Sequence, residues 1–395
     1  MNFQNWLYRP SCSSLRRFLL AIALAWPLSG FAQPAPSLND RIEGLLIGAF
    51  IGDAAGGPVE FQAPQRGPWT ATDTVLTPEG IAELADAFHL HAYPMGAGSY
   101  AHWTDYGPPG TVTDDSRFKL LFINSLRDAG RADRDAFARE ILRFHADTTS
   151  RYPQLRQDWL DEFAYAARWV LGERDETIAL PPERQWGGIA TMAGQMPFLP
   201  IAALHPGDPD AAYRTVWDID FMDNGIGRDI NAGLVAGLAA ALADGATWTD
   251  VDAAMRTTDP YGFTQIEWVP RRSSRWLDVA QNAVREAEGR PKRLFDILVR
   301  DLQATTWWDA WIPTAVTFAC AEMTGYDPLA TLQLILEFGY DTDSYMQVAG
   351  ALFGALHGPA IFPEAMRQTV IDRLEADYDV RFDDLVTLLH NHAAP

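Results

Sequence analysis

Residues 41–60 read RIEGLLIGAFIGDAAGGPVE; Ile42, Leu45, Leu46 and Ala49 fall on one helical face, and Gly44, Gly48 and Gly52 recur beside them at four-residue spacing. A glycine inside a helix costs about 1 kcal/mol relative to alanine. A stripe of them is therefore a packing device, kept where another backbone or a ligand must come close. The same spacing returns at Gly233 and Gly237, and at Gly350, Gly354 and Gly358. A membrane-helix dimer uses such spacing too, but these stretches are interrupted by Asp53, Arg228 and Gln347 and lack the length to span. Further helical periodicity predicts helices over 115–129, 134–145, 159–172, 208–218, 229–243, 274–288, 292–305, 311–323, 328–338, 344–358 and 363–374. Alternation of apolar and polar residues is never sustained. The expected fold is all-α, a single domain whose long loops carry the chemistry. The Gly/Pro-punctuated, aromatic stretch 70–110 is read as one such loop and as a wall of the site.

Two of the predicted helices open on clusters of carboxylates and hydroxyls, Thr113-Asp114-Asp115-Ser116 and Asp341-Thr342-Asp343-Ser344. A lone Asp-Asp or Asp-x-Asp is usually a helix cap or a solvated turn. Two such clusters together offer four aspartates and several hydroxyls, the oxygen donors that Mg²⁺, Mn²⁺ or Ca²⁺ select over nitrogen and sulfur. If they share a site, they must meet in space.

Composition fits a folded protein: 48% of the 395 residues are hydrophobic and 12% aromatic, with 14 Trp, enough for a sizeable core. Residues 1–32 have a separate reading. Arg9, Arg16 and Arg17 precede an apolar run from Phe18 to Leu28, then Gly30-Phe31-Ala32, the pattern of a cleaved signal peptide. The run is too short for a transmembrane helix, and Cys12 precedes it, so neither a stable membrane anchor nor a lipoprotein site is expected. Removing this segment takes away three arginines and no acid, moving the net charge from −21 to −24. Nucleic acid is a poor partner for such a chain, which lacks a basic face. Residues 33–40 read as a linker in which Ser37, Asn39 or Asp40 can cap the next helix, and 41–395 as the domain. Cys320 is then the only cysteine left, in an apolar run, and reads as a buried thiol.

Several ordered blocks resemble the ADP-ribosylglycohydrolase family, of the dinitrogenase reductase-activating glycohydrolase type. They are 48–61, GAFIGDAAGGPVEF; 113–116, TDDS; and 340–344, YDTDS, followed by the glycine-spaced 348–358, VAGALFGALHG. The resemblance implies an orthogonal helical bundle around a centre of two Mg²⁺ or Mn²⁺ ions, hydrolysing the glycosidic bond between ADP-ribose and a protein or small-molecule target. Carried over position by position, the metal ligands are Thr113, Asp114, Asp115, Asp341, Asp343 and Ser344. This chain departs from the family in three places. Ser344 replaces the usual Thr and keeps its hydroxyl. Tyr340 replaces a glycine, and the middle block Asp220-Phe221-Met222-Asp223-Asn224-Gly225 stands where many relatives carry a Thr-His pair. Substrate contacts are accordingly expected from Asn224, Gly225 and Tyr340.

Glu60, after the turn Gly56-Gly57-Pro58, is the candidate to position or activate the nucleophile, with Asp343 as the second catalytic residue. Asp53 reads as structural or as an outer partner of the metal ligands, ordering the loop or a metal-bound water. Competing readings are a metal-independent glycosidase of paired carboxylic acids, a catalytically silent ADP-ribose-binding module, and a calcium-stabilised exported binding protein. The order 341–346, DTDSYM, fails the calcium-loop pattern, which wants an oxygen ligand at the fifth position and glycine at the sixth. The chain is expected to be a monomer exported to the periplasm or beyond.

Overall fold

The computed structural model describes residues 35–61, 73–91, 108–147, 158–174, 178–265 and 272–394. The expected signal peptide lies outside them. In chain order the helices are α1 (Leu38–Gly56), α2 (Pro78–His91), α3 (Asp114–Ala129), α4 (Arg134–Ala146), α5 (Asp158–Val170), α6 (Gln195–Phe198), α7 (Pro209–Ile219), α8 (Gly225–Ala241), α9 (Trp248–Thr257), α10 (Arg272–Ala287), α11 (Pro291–Asp301), α12 (Ile312–Met323), α13 (Pro328–Phe338), α14 (Thr342–His357), α15 (Glu364–Tyr378) and α16 (Phe382–His392). No strand occurs among the described residues, only an isolated bridge between Thr191 and Asp309. The fold is all-α.

Helix α1 begins inside the segment read as linker. Ser37 is its cap: the hydroxyl accepts from Asp40 N at 3.2 Å and the Asp40 carboxylate accepts from Ser37 N at 2.8 Å, a reciprocal box that satisfies two otherwise orphaned donors. From Ile42 to Gly56 almost every residue is buried, so α1 is apolar on all sides and runs through the middle of the core. Contrary to the expectation from sequence, this stretch is long and apolar enough for a membrane span, but most of it is buried within the protein.

The glycine stripes meet. α1 and α14 run antiparallel in the most extensive helix pairing among the described residues, with Gly44 against Gly354, Gly48 against Gly350, Gly52 against Met346 and Gly56 against Asp343. A Cβ on any of these glycines would collide with the facing backbone. Rotating a side chain cannot relieve such a clash, which is why the helix-propensity cost is tolerated here. The seam also registers the site, because its last contact is between Gly56 and the backbone of Asp343.

Around this pair, Phe122, Phe137, Phe198 and Phe221 form an aromatic cluster, three contacts edge-on and Phe137–Phe221 tilted, linking α3, α4 and α6 to the segment before α8. Cys320 is fully buried in α12, as expected. The stretch 70–110 is not one loop: α2 occupies Pro78–His91, with Leu84, Ala87 and Phe88 buried, while 70–72 and 92–107 lie outside the described residues. Helices α9 and α16 also went unread in the sequence.

Candidate metal centre

The two acidic clusters are brought together at the starts of α3 and α14. Thr113 caps α3, its Oγ1 accepting from Asp115 N at 3.3 Å, which leaves Asp114 and Asp115 in the first turn without capping duty. Asp341 holds the cap position of α14 but makes no capping bond with its side chain. The positive ends of both helix dipoles therefore face a shared set of carboxylates.

Asp53 reaches this centre from α1. Its Oδ1 accepts from Thr113 Oγ1 at 2.5 Å and from Thr113 N at 3.1 Å, and its Oδ2 from Ser116 N at 3.1 Å. It ties α1 to the start of α3. It also joins the acidic clusters directly, since carboxylate oxygens of Asp53, Asp115 and Asp343 lie within 4.8 Å of one another. A second trio, Glu60, Asp341 and Asp343, satisfies the same limit. Asp343 belongs to both.

Glu60 arrives through the turn at Gly57–Val59, as the sequence suggested, and is only 4% exposed. The turn is pinned by Phe61 N, which donates to the carbonyl of Tyr340 at 2.6 Å. Tyr340 has φ +66°, a left-handed backbone that glycine adopts freely, which accounts for the glycine found here in the family that the sequence resembles. The Tyr340 ring stacks on Trp307 at 3.7 Å and is not among the side chains lining the cleft.

Two hydrogen bonds hold the remaining ligand candidates. Ser344 Oγ donates to Asp115 Oδ2 at 2.9 Å, and Ser344 N donates to Asp343 Oδ1 at 2.9 Å. Beneath them Gln347 Nε2 donates to Asp115 Oδ1, and the fully buried Lys119 donates to Gln347 Oε1. Neither Lys119 nor Gln347 was singled out as a site residue from sequence. The available signal was their place one helical turn after Asp115 and Asp343.

Burial raises the pKa values of Glu60, Asp114, Asp115, Asp341 and Asp343. Asp343 is pushed up to about 6 by burial and then by the charge of Asp53. Glu60 lies well above the usual carboxylate range, through burial and then the charges of Asp343 and Asp341. Asp115 and Asp341 are raised by burial and by Asp343. So many close carboxylates with one ammonium among them make a site short of positive charge, and all the donors are hard oxygens. That donor set fits a hard divalent cation.

The pKa directions give a stability prediction. A carboxyl whose folded pKa is raised stabilises the fold fully below its unfolded pKa, and the contribution disappears as pH rises through the folded value. Chelator-treated protein should therefore melt higher at pH 5 than at pH 8, by roughly 5 °C, the Asp343 share being lost as pH rises through about 6. Glu337, buried in α13 and pushed to about 8, adds to the fall. Mn²⁺ should restore the loss at pH 8 and do little at pH 5. Calorimetry with and without chelator checks this, and identical pH profiles in both would contradict it.

Beside the carboxylates a cleft of about 140 Å³ opens to solvent. Phe61, Phe163, Trp186, Met192, Met196 and Trp308 wall it. Asn224 and Gly225 do not line it. Asn224 caps α8, accepting from Ile226 N and Gly227 N and donating to the carbonyls of Gly188 and Ile189. The middle block acts on the cleft at one remove. Asp223 accepts from Thr191 Oγ1 at 2.5 Å and from Gly194 N at 2.6 Å, fixing the loop that carries Met192.

With this geometry in place, comparison with known proteins is informative. The model of the ADP-ribosylglycohydrolase family matches residues 34–393. A solved structure of an ADP-ribosylglycohydrolase-related protein complex is similar at a TM-score of 0.52 and 17% identity, over 91% of this chain and 99% of the other; at that identity the likeness bears on the fold alone. No curated protein matches the chain.

Proposed function

The chain belongs to the ADP-ribosylglycohydrolase family, and from that premise we propose that it hydrolyses the glycosidic bond joining ADP-ribose to a protein or small-molecule target at a centre of two Mg²⁺ or Mn²⁺ ions. The observation that carries the two-ion reading is the pair of carboxylate trios sharing Asp343. Asp53, Asp115 and Asp343 would hold one ion, and Glu60, Asp341 and Asp343 the other. When bound, the ions would offset the carboxylate charge and supply Lewis acidity to the reacting centre. Thr113, Asp114 and Ser344 remain ligand candidates, through their place beside these trios.

Glu60 suits the proton transfers. Buried beside the other carboxylates and lining the cleft, it would take a proton from the attacking water and return one to the departing group, while water oxygen bonds to the anomeric carbon as the glycosidic bond breaks. The aromatic walls of the cleft exclude bulk water and offer flat faces to a nucleotide base. Residues 1–32, which precede the family match, support export. On this reading the enzyme works as a monomer in the periplasm or outside the cell, without a stable membrane anchor.

A panel of arginine-, serine- and nucleobase-linked ADP-ribosyl substrates tests the proposal. Purified protein with Mg²⁺ or Mn²⁺ should release ADP-ribose, seen by product mass spectrometry, from at least one linkage, and chelator should stop it. ADP-ribose binding without turnover on any linkage would instead identify a silent binding module. Stabilisation by Ca²⁺ alone, with no effect of Mg²⁺ or Mn²⁺, would favour the calcium-stabilised binding protein. Detection of the uncleaved chain in the cytosol would remove the proposed location.

A further inference from the structure

Lys119 lies one helical turn beyond Asp115 on α3, and Gln347 one turn beyond Asp343 on α14, so the second turns of both helices form a layer under their acidic first turns. Lys119 has no exposed surface. Its Nζ donates to the Asp115 backbone carbonyl at 3.0 Å and to Gln347 Oε1. An ammonium can only donate, so it decides which end of the Gln347 amide faces it, and the Nε2 end is left to donate to Asp115 Oδ1. Burial lowers the Lys119 pKa, and the charges of Asp115, Asp53, Asp114 and Asp343, in that order, act against the shift. Three of these form one trio. Lys119 does not line the cleft, and the proposed chemistry makes no use of it. A buried charge is costly to keep, and an apolar residue would fill this helix position without that cost.

We infer that Lys119 is a built-in counter-ion that makes the two cation positions unequal: it weakens binding at Asp53, Asp115 and Asp343 relative to Glu60, Asp341 and Asp343, and it offsets carboxylate repulsion whenever the weaker position is empty. The inference rests on the two-ion reading above. Two effects of Lys119 oppose each other. By orienting Asp115 through Gln347 it favours cation binding, and outer hydrogen-bonded partners of this kind are typically worth about 10–100-fold in metal affinity. By its charge it repels a dication that would share the same carboxylates. In a buried setting the second effect is the larger, because Coulomb energy scales with the doubled charge and is poorly screened. The two positions accordingly fill in sequence, and the Asp115 position fills last.

Mn²⁺ titrations of the full exported chain, followed by calorimetry and by the electron paramagnetic resonance of free Mn²⁺, test this. Wild type should bind two ions with constants at least about tenfold apart. Lys119→Met should tighten the weaker step by about tenfold or more and leave the stronger step nearly unchanged, while chelated Lys119→Met melts below chelated wild type. Gln347→Met removes the amide and keeps the ammonium, so it should not tighten the weaker step. If Lys119→Met does not fold, Lys119→Gln, neutral but still hydrogen-bonding, carries the same expectation. Two bound ions whose constants are unmoved in the Lys119 variant, or a weaker step that loosens, would overturn the inference and leave the two-ion reading standing. A wild type that binds no Mn²⁺ would overturn both.

Discussion

Asp343→Ala is expected to lose bound metal and activity together, with turnover falling by about 10³-fold or more and Mn²⁺ affinity by at least about 100-fold. Asp343 is the only residue in both carboxylate trios, so its loss removes a donor from each proposed position at once. Its carboxylate is also held in place, accepting from Ser344 N at 2.9 Å, at the point where Gly56 lets α1 close on the first turn of α14. The same substitution removes a source of charge that raises the pKa values of Glu60 and Asp115. The chelated variant should therefore be no less stable than chelated wild type. That separates a ligand from a structural residue: elemental analysis for metal, calorimetry for stability and ADP-ribose release for activity should move in different directions. Unchanged metal stoichiometry would remove Asp343 from the ligand set.

Gly350→Ala is expected to be among the most damaging single methyl additions in the described residues, costing on the order of 4 kcal/mol or preventing folding. A Cβ there collides with the Gly48 backbone, and the reverse contact is equally close, so the strain can be relieved only by parting α1 from α14. Ordinary overpacking in a core costs about 1–3 kcal/mol because side chains adjust. Here the obstacle is main chain on both sides. Gly225→Ala is the control: Gly225 has nothing within 4 Å of its would-be Cβ, and the change should fall within about 0.5 kcal/mol of wild type. Chemical denaturation of the two variants measures the contrast, and similar midpoints would mean that the glycine seam is not what holds the core.

The seam was legible in the sequence because a helix-interior glycine has a known cost, and three recurring at one spacing have few explanations other than close backbone approach. The acidic clusters were legible because hydroxyls beside paired aspartates at predicted helix starts suit hard cations better than they suit capping alone. The partners of Asp53 were not legible, since they depend on α1 passing beside the start of α3, a contact between residues sixty positions apart that no local pattern encodes. Lys119 could be placed on the face of Asp115 by helical spacing, yet its burial follows from α14 closing over it. Helix α2 was hidden among glycine, proline and aromatic residues that read as loop, although Leu84, Ala87 and Phe88 keep a helical register. Asn224 and Gly225 were chosen by family resemblance, and Asn224 is occupied by capping α8.

The centre itself can be tested most directly by diffraction from crystals grown with Mn²⁺, using the anomalous signal of the metal. The account predicts two peaks, one bounded by the carboxylates of Asp53, Asp115 and Asp343 and the other by those of Glu60, Asp341 and Asp343, the two sharing Asp343 and the second more fully occupied. Anomalous density absent from between these carboxylates, or confined to a single ion that Asp343 does not touch, would contradict it.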